Sequence, residues 1–314
     1  MWTLALERLG LGVVTLFVAS VLVFASTQVL PGDVTTAILG QEATPEMRAV
    51  LVERFGLNRP VYVQYFEWLA RFLQGDFGRS LVNDVPVSRL LDIRLKNTLI
   101  LALATIIVVV PLSLTLGLLS AAYANSRLDN AISVISLFLI SLPEFLVAII
   151  LVLIFAVHLS LLPATSVASF RSFEHMLRVL ALPVATLTFA ILAHMVRMTR
   201  ATVLDVLRAP YIEMALLKGA TRSRIILRHA LPNALGPIAN VVALNIGYLI
   251  SGVVVVEVIF AYPGIGKLLV EAIGNRDLPL LQAVALVMVT AYVILTLVAD
   301  IVARLSNPRL LHQK

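Results

Sequence analysis

Cysteine is absent from all 314 residues, which excludes disulfides, thiol catalysis and thiolate metal sites. Charge is scarce as well. Only 13% of residues are Asp, Glu, Lys or Arg, where a soluble domain carries roughly a quarter. The five histidines, His158, His175, His194, His229 and His312, include no pair at metal-ligand spacing and no HExxH, so no histidine-built metal centre is indicated. There is no GxSxG elbow and no pair of intramembrane aspartates, so a membrane hydrolase lacks its chemistry. Apolar residues instead make up 60% of the chain, with a mean hydropathy of +0.98. These values mark an integral membrane protein, and the net charge of +6 is read as basic residues flanking membrane segments rather than as a nucleic-acid site.

About 20 apolar residues span a hydrocarbon core of ~30 Å as a helix. Six segments qualify: Leu9 to Pro31, Thr98 to Ala124, Ala131 to Leu162, Val179 to Val196, Pro237 to Tyr262 and Leu278 to about Arg304. The first has a longer apolar run than a signal peptide, and we expect an uncleaved helix. Basic residues set the orientation. The fourth-to-fifth connection carries Arg197, Arg200, Arg208, Lys218, Arg222, Arg224 and Arg228 against Asp205 and Glu213, so this loop and both termini are expected in the cytosol. The organisation expected is a membrane helix at 1–31, an external helical segment at 32–97, five further spans within 98–306 that include a polar loop at 199–236, and a cytosolic tail at 307–314. Asp300 and Arg304 have the spacing of an i,i+4 ion pair.

Residues 32–97 hold eight basic and eight acidic residues. Thr44-Pro45-Glu46 can open a helix ending at Gly56. A second helix is expected from Pro60 to Leu73, with Val61, Tyr65, Leu69 and Phe72 on one stripe. A third begins near Pro86 and leads into the second span. The segment is either a small cap on the bundle or a platform for a substrate-delivering protein.

The most informative stretch is Tyr211 to Pro232. Pro210 suits the first position of a helix, and Gly219 suits the left-handed residue that ends one. Thr221 can cap a second helix that stops at Pro232. The first helix is short and mostly apolar, with Glu213 its one acid, so it needs a partner groove. Glu213, Ala215, Gly219, Ile225 and Leu231-Pro232 resemble the "EAA" loop of ABC-importer permeases, with Met214 in place of the middle alanine. KGA…RHALPNAL is nearer the dipeptide/oligopeptide/nickel branch than the sugar branch. LPGD at 30–33, TPE at 44–46, FGLNRPVYVQY at 55–65, GDFGRS at 75–80, EVIFAYPGIGKLL at 257–269, NRDLPLLQ at 275–282 and NPR at 307–309 extend the resemblance over nearly the whole chain.

The resemblance implies an all-α type I importer permease fold of six transmembrane helices in the inner membrane. It implies a second homologous permease, two ATP-binding subunits holding ATP and Mg, and an external solute-binding protein, with membrane lipid around the bundle. Tyr211, Ile212, Glu213, Met214, Ala215, Lys218, Gly219 and Ala220 then form the ATPase-coupling helix. The chain itself is expected to be no enzyme and to carry no cofactor or metal. Substrates implied are dipeptides or oligopeptides, with a nickel or metal-chelate importer or a glutathione importer as alternatives; nickel cannot be argued from the histidines. A stand-alone channel or secondary transporter is a distant rival, since the halves show no repeat and the cytosolic knob has no purpose there.

Glu144 falls near mid-bilayer, where an acid costs at least about 2.5 kcal/mol and must face a cavity or partner. Pro143 before it can open the helix, and the family usually has an uncharged residue after this proline. Glu144 and Pro143 are therefore candidates for the translocation path, with a preference for cationic or amine-bearing cargo; a packing contact or a link to the partner permease is the alternative. Glu257, near the outer end of the fifth span where charge is cheaper, is expected to anchor an outer turn with Gly264 and Gly266. Pro263 to Lys267 is no phosphate loop, because Ala261 replaces the first glycine and Leu268 the Ser or Thr. His194 is expected in an interhelical hydrogen bond. Prolines 111, 143, 183 and 237 are hinges or packing kinks.

Overall fold

A computed structural model describes residues 2–29, 59–167, 170, 172–221 and 224–305. In chain order its helices are α1 (Trp2–Val29), α2 (Val61–Leu73), α3 (Val87–Ala122), α4 (Arg127–Ser141), α5 (Glu144–Leu151, continued by a π-helical turn Val152–His158), α6 (Phe173–Leu207), α7 (Pro210–Leu217), α8 (Leu231–Ile259, preceded by a π-helical turn Ile225–Ala230), α9 (Ile265–Gly274) and α10 (Leu278–Leu305). Among the described residues there is no named strand, only an isolated bridge between Arg79 and Pro86. The expected 44–56 helix, the LPGD, TPE and NPR motifs and the Asp300–Arg304 side chains lie outside what is described.

Among the described residues, four helices are long and apolar enough to cross a membrane: α1, α3, α6 and α10. The count reaches six when each of two bent pairs is taken as one span: α4 with α5, bent by 102°, and the two parts of α8, bent by 45°. The first bend has a local cause. Leu142 and Pro143 are both extended, with ψ of 125° and 143°; proline disfavours the helical conformation in the residue before it and offers no N–H. Pro143 thus breaks the third span rather than loosening it. By contrast Pro111, Pro183 and Pro237 all sit inside continuous helices.

Three expectations need correction. The fourth span is part of a 35-residue helix, so Arg197 and Arg200 lie within α6 and not in a loop. No helix stops at Pro232, which occupies the first turn of α8, where its missing N–H is harmless; the π-helical turn before it leads straight into the span. In α2, Val61 is exposed, and the covered stripe runs instead through Tyr65, Trp68, Leu69 and Phe72.

The chain forms two compact units. One comprises 1–6, 99–262 and 294–314. Its axis is α6, of which 67% is buried across the membrane window, against 11% for α1. Leu182, Leu187, Met195 and Val196 of α6 share a core with Leu249, Val253 and Val256 of α8, and with Leu101 and Val109 of α3. In lipid the hydrophobic effect contributes little between helices, so close packing and buried polar contacts must hold them. Both occur at one crossing. Gly117 of α3 meets α6 so closely that a Cβ would stand 2.7 Å from Thr199 Cβ. Beside it Arg200 donates two hydrogen bonds of 2.7 Å to the carboxylate of Asp129, Ser120 donates at 2.5 Å and the Asn125 N–H at 2.8 Å. Asp129 is 2% exposed, and this fork joins the end of α3, the start of α4 and α6.

The other unit comprises 7–98 and 263–293. Phe24 of α1 packs edge-on against Tyr65 of α2 at 5.4 Å, and the Tyr65 hydroxyl bonds Ser20 at 2.8 Å. Asp277 caps α10 and accepts from Ser80 Oγ at 2.5 Å and Leu81 N–H at 3.1 Å, tying the GDFGRS and NRDLPLLQ segments together. Gln282 donates to Thr27 at 2.7 Å.

Removing one member of the Asp129–Arg200 fork should strand the other. Arg200→Leu is expected to cost about 3–5 kcal/mol, seen as a lower thermal midpoint of the detergent-solubilised assembly. Asp129→Asn with Arg200→Gln should recover much of that loss. Equal midpoints for wild type and Arg200→Leu would remove the fork from the account.

Candidate functional site

The segment singled out in the sequence folds as a short helix with two unlike faces. Ala209 is extended and Pro210 takes the first helical position. At the other end Gly219 has φ +79°. Its N–H donates to the Leu216 carbonyl at 2.9 Å, and the Ala220 N–H reaches back to Ala215 at 3.1 Å. This paired closure needs the left-handed residue that glycine supplies most readily. A Cβ at Gly219 would meet nothing within 4 Å, so backbone conformation, not space, requires glycine here.

Ile212 is the anchor. It is buried with Ile225 and Ala230, and Val206, Leu207, Ala209, Ala215 and Ala220 pack around them. This ties α7 to the end of α6 and to the turn that opens α8. The remaining surface faces outward: Tyr211, Met214, Leu216 and Leu217 are exposed, Leu217 at 77%, as are Glu213 and Lys218. The helix is thus fixed by one buried residue and leaves Tyr211, Met214, Leu216 and Leu217 in the open.

At the broken third span Pro143 precedes α5 and Glu144 stands in its first turn. Glu144 is half-buried and Pro143 exposed. The carboxylate lies against Gly252 of α8, close to where that helix bends. Pro143 was expected to open the helix before Glu144; the structure has a full break there, bent by 102°.

Glu257 is fully buried beside Tyr262, so its tolerance there does not come from solvent, as its place near the helix end had suggested. In the other unit the Ile265 N–H donates to Thr98 Oγ1 at 2.8 Å and Asn97 donates to the Pro263 carbonyl at 2.8 Å, fixing the start of α9. Gly264 is its extended cap and Gly266 is buried in its first turn. Lys267 lies 3.7 Å from Glu271. His194 is exposed on α6 rather than buried in an interhelical bond, and no cluster of metal-ligating side chains occurs among the described residues.

Sequence reasoning missed the Asp129 fork. A signal was present: Ser126-Arg127-Leu128-Asp129 before an apolar run has the form of a capping box, and Ser126 Oγ does accept the Asp129 N–H at 3.2 Å. The partner, 71 residues away, could not be read from local pattern.

Residues 113–312 match the model of the binding-protein-dependent transport system inner membrane component, and residues 1–102 match the N-terminal model of the same system's membrane component. Among curated relatives, the probable peptide ABC transporter permease protein y4tP of Sinorhizobium fredii is 35% identical, covering 97% of this chain and 98% of its own length. The oligopeptide transport system permease protein AppB of Bacillus subtilis is 36% identical over 93% of each. The glutathione transport system permease protein GsiC of Escherichia coli K12 is 34% identical over 94% of each. An inward-facing structure of the MetNI methionine ABC transporter superposes with a TM-score of 0.60, covering 71% of this chain and 98% of that one at 18% identity, a likeness of fold. The chain belongs to the binding-protein-dependent transport system inner membrane component family and is a permease subunit of an ATP-driven ABC importer.

Proposed function

We propose that this permease imports peptides or closely related small solutes and takes its energy through α7. The observation that carries the reading is the pairing of a buried anchor, Ile212, with exposed Met214, Leu216 and Leu217 on the same eight-residue helix. Such a surface fits a groove on an ATP-binding subunit. The names of the relatives, for peptide, oligopeptide and glutathione systems, support the cargo class.

In this reading two homologous permeases enclose the path, two ATP-binding subunits hold ATP and Mg, and this chain holds no cofactor and catalyses no reaction. A solute-binding protein delivers cargo at the external segment, residues 32–97. Arg208, Lys218, Arg224 and Arg228 around α7 support a cytosolic side for it and for both termini. Closure of the ATP-binding subunits moves α7. Because Ile212 fixes α7 to α6 and the α8 turn, the displacement passes to both spans as a rigid-body shift. The fork carries the same motion to α3 and α4. Glu144 and Pro143 line the path, while Glu257 and, in the other unit, Gly264 and Gly266 have structural roles at the outer turn.

Two outcomes test the coupling role. Leu217→Asp should weaken capture of the ATP-binding subunits by tenfold or more, since a central apolar contact is commonly worth 2 kcal/mol or above; co-elution from an affinity column reads this directly, and undiminished capture would count against the docking role. Gly219→Val forces a branched residue into the left-handed region at about 1–2 kcal/mol and should lower both uptake and transport-stimulated ATP hydrolysis. Gly219→Asn, which tolerates that region, should stay near wild type. Equal activity of the Val and Asn variants would show that the turn does not matter.

A further inference from the structure

Glu144 has surroundings unlike those of the other acids within the spans. Asp129 is fully engaged by Arg200, Ser120 and Asn125, and Glu257 is fully buried and partnered. The Glu144 carboxylate is only half-buried, and no hydrogen bond or ion pair reaches it from the described residues. What it touches is a notch. A Cβ on Gly252 would stand 3.0 and 3.1 Å from its two carboxylate oxygens, so the absence of a side chain at 252 gives the carboxylate its place.

A helix break and a helix bend meet at this point. The α4–α5 span turns through 102° at Leu142–Pro143, directly before Glu144, and α8 bends between Leu249 and Gly252. Interrupted backbone at membrane depth is tolerated where protein covers it or where it lines a water-filled cavity, and not against lipid. The same restriction applies to a carboxylate with no partner. Pro143 and Ser141 at the break are exposed on this chain. An unpartnered carboxylate held in a glycine notch where a helix break and a helix bend meet is chemically suited to receive a cation, whose charge would hold it ionised.

We infer that Glu144, seated against Gly252, is a cation subsite in the translocation path that receives the protonated amine or guanidinium of the cargo. This rests on the reading of residues 143–144 as lining the path. Gly252 sets the subsite's geometry, and Glu144 supplies its charge.

The lack of native cysteine allows a direct test in the assembled transporter, in membrane vesicles and at low ionic strength. A reporter thiol is introduced by Ser141→Cys or, as a second position, by Phe145→Cys; both residues are exposed beside the break. Its reaction rates are measured with a trimethylammonium methanethiosulfonate and with a sulfonate methanethiosulfonate of similar size. With Glu144 present, the cationic reagent should react about tenfold faster than the anionic one, as expected for one nearby charge in a wet site. The ratio should fall close to that of the free thiol in Glu144→Gln, and part of the way in Gly252→Ala, which keeps the carboxylate but displaces it. Rapid labelling with no dependence on residue 144 overturns the subsite while leaving the path reading intact. A reporter that neither reagent reaches, with or without ATP, at both positions overturns the path reading and the subsite together.

Discussion

The buried fork between Asp129 and Arg200 is the constraint on which the rest of the larger unit's geometry depends. Helices in lipid gain little from apolar burial against each other, so a charge pair at a crossing carries unusual weight. It satisfies four donors at one carboxylate, and Gly117 brings the two backbones close enough for it to form. A point charge would not serve equally: the planar guanidinium fixes direction as well as distance. The end of α3, the start of α4 and the body of α6 therefore behave as one piece.

That piece has a handle. Ten residues beyond Arg200 the chain enters α7, whose only fully buried residue, Ile212, packs into the α6 end and the α8 turn. Force applied to the exposed face of α7 has no slack to absorb within its anchor. We assign the compliance this mechanism needs to the break before Glu144 and the bend near Gly252. Rigid joints near α7 and soft points beside the proposed path are the arrangement an externally driven permease requires. Specialised residues serve each role: arginine and aspartate at the joint, glycine and proline at the soft points.

Much of this was legible in the chain. Apolar runs gave the spans because a bilayer imposes a length, and Pro210 and Gly219 gave the limits of α7 because each restricts backbone conformation locally. Composition could not locate Arg200, which counts as a loop cation by sequence but is a helix residue paired far upstream. Nor could it say whether Pro143, Pro183 or Pro237 breaks a helix. Pro143 does, with Leu142 and Pro143 both extended, while Pro183 and Pro237 sit inside continuous helices. Glu257 was placed at the correct end of its helix, yet its burial against Tyr262 follows from packing that no local pattern encodes. The partner of Asp277, in the GDFGRS segment, was equally hidden: both motifs were visible, their contact was not.

The central claim is that the energy for transport enters this chain mechanically, through α7, from a protein that hydrolyses ATP. The most direct measurement is solute accumulation in proteoliposomes with ATP, comparing this permease with its full set of partners against the same assembly lacking only the ATP-binding subunits. Accumulation against a gradient should require those subunits and disappear without them. Uphill accumulation by the permeases and binding protein alone would contradict the account.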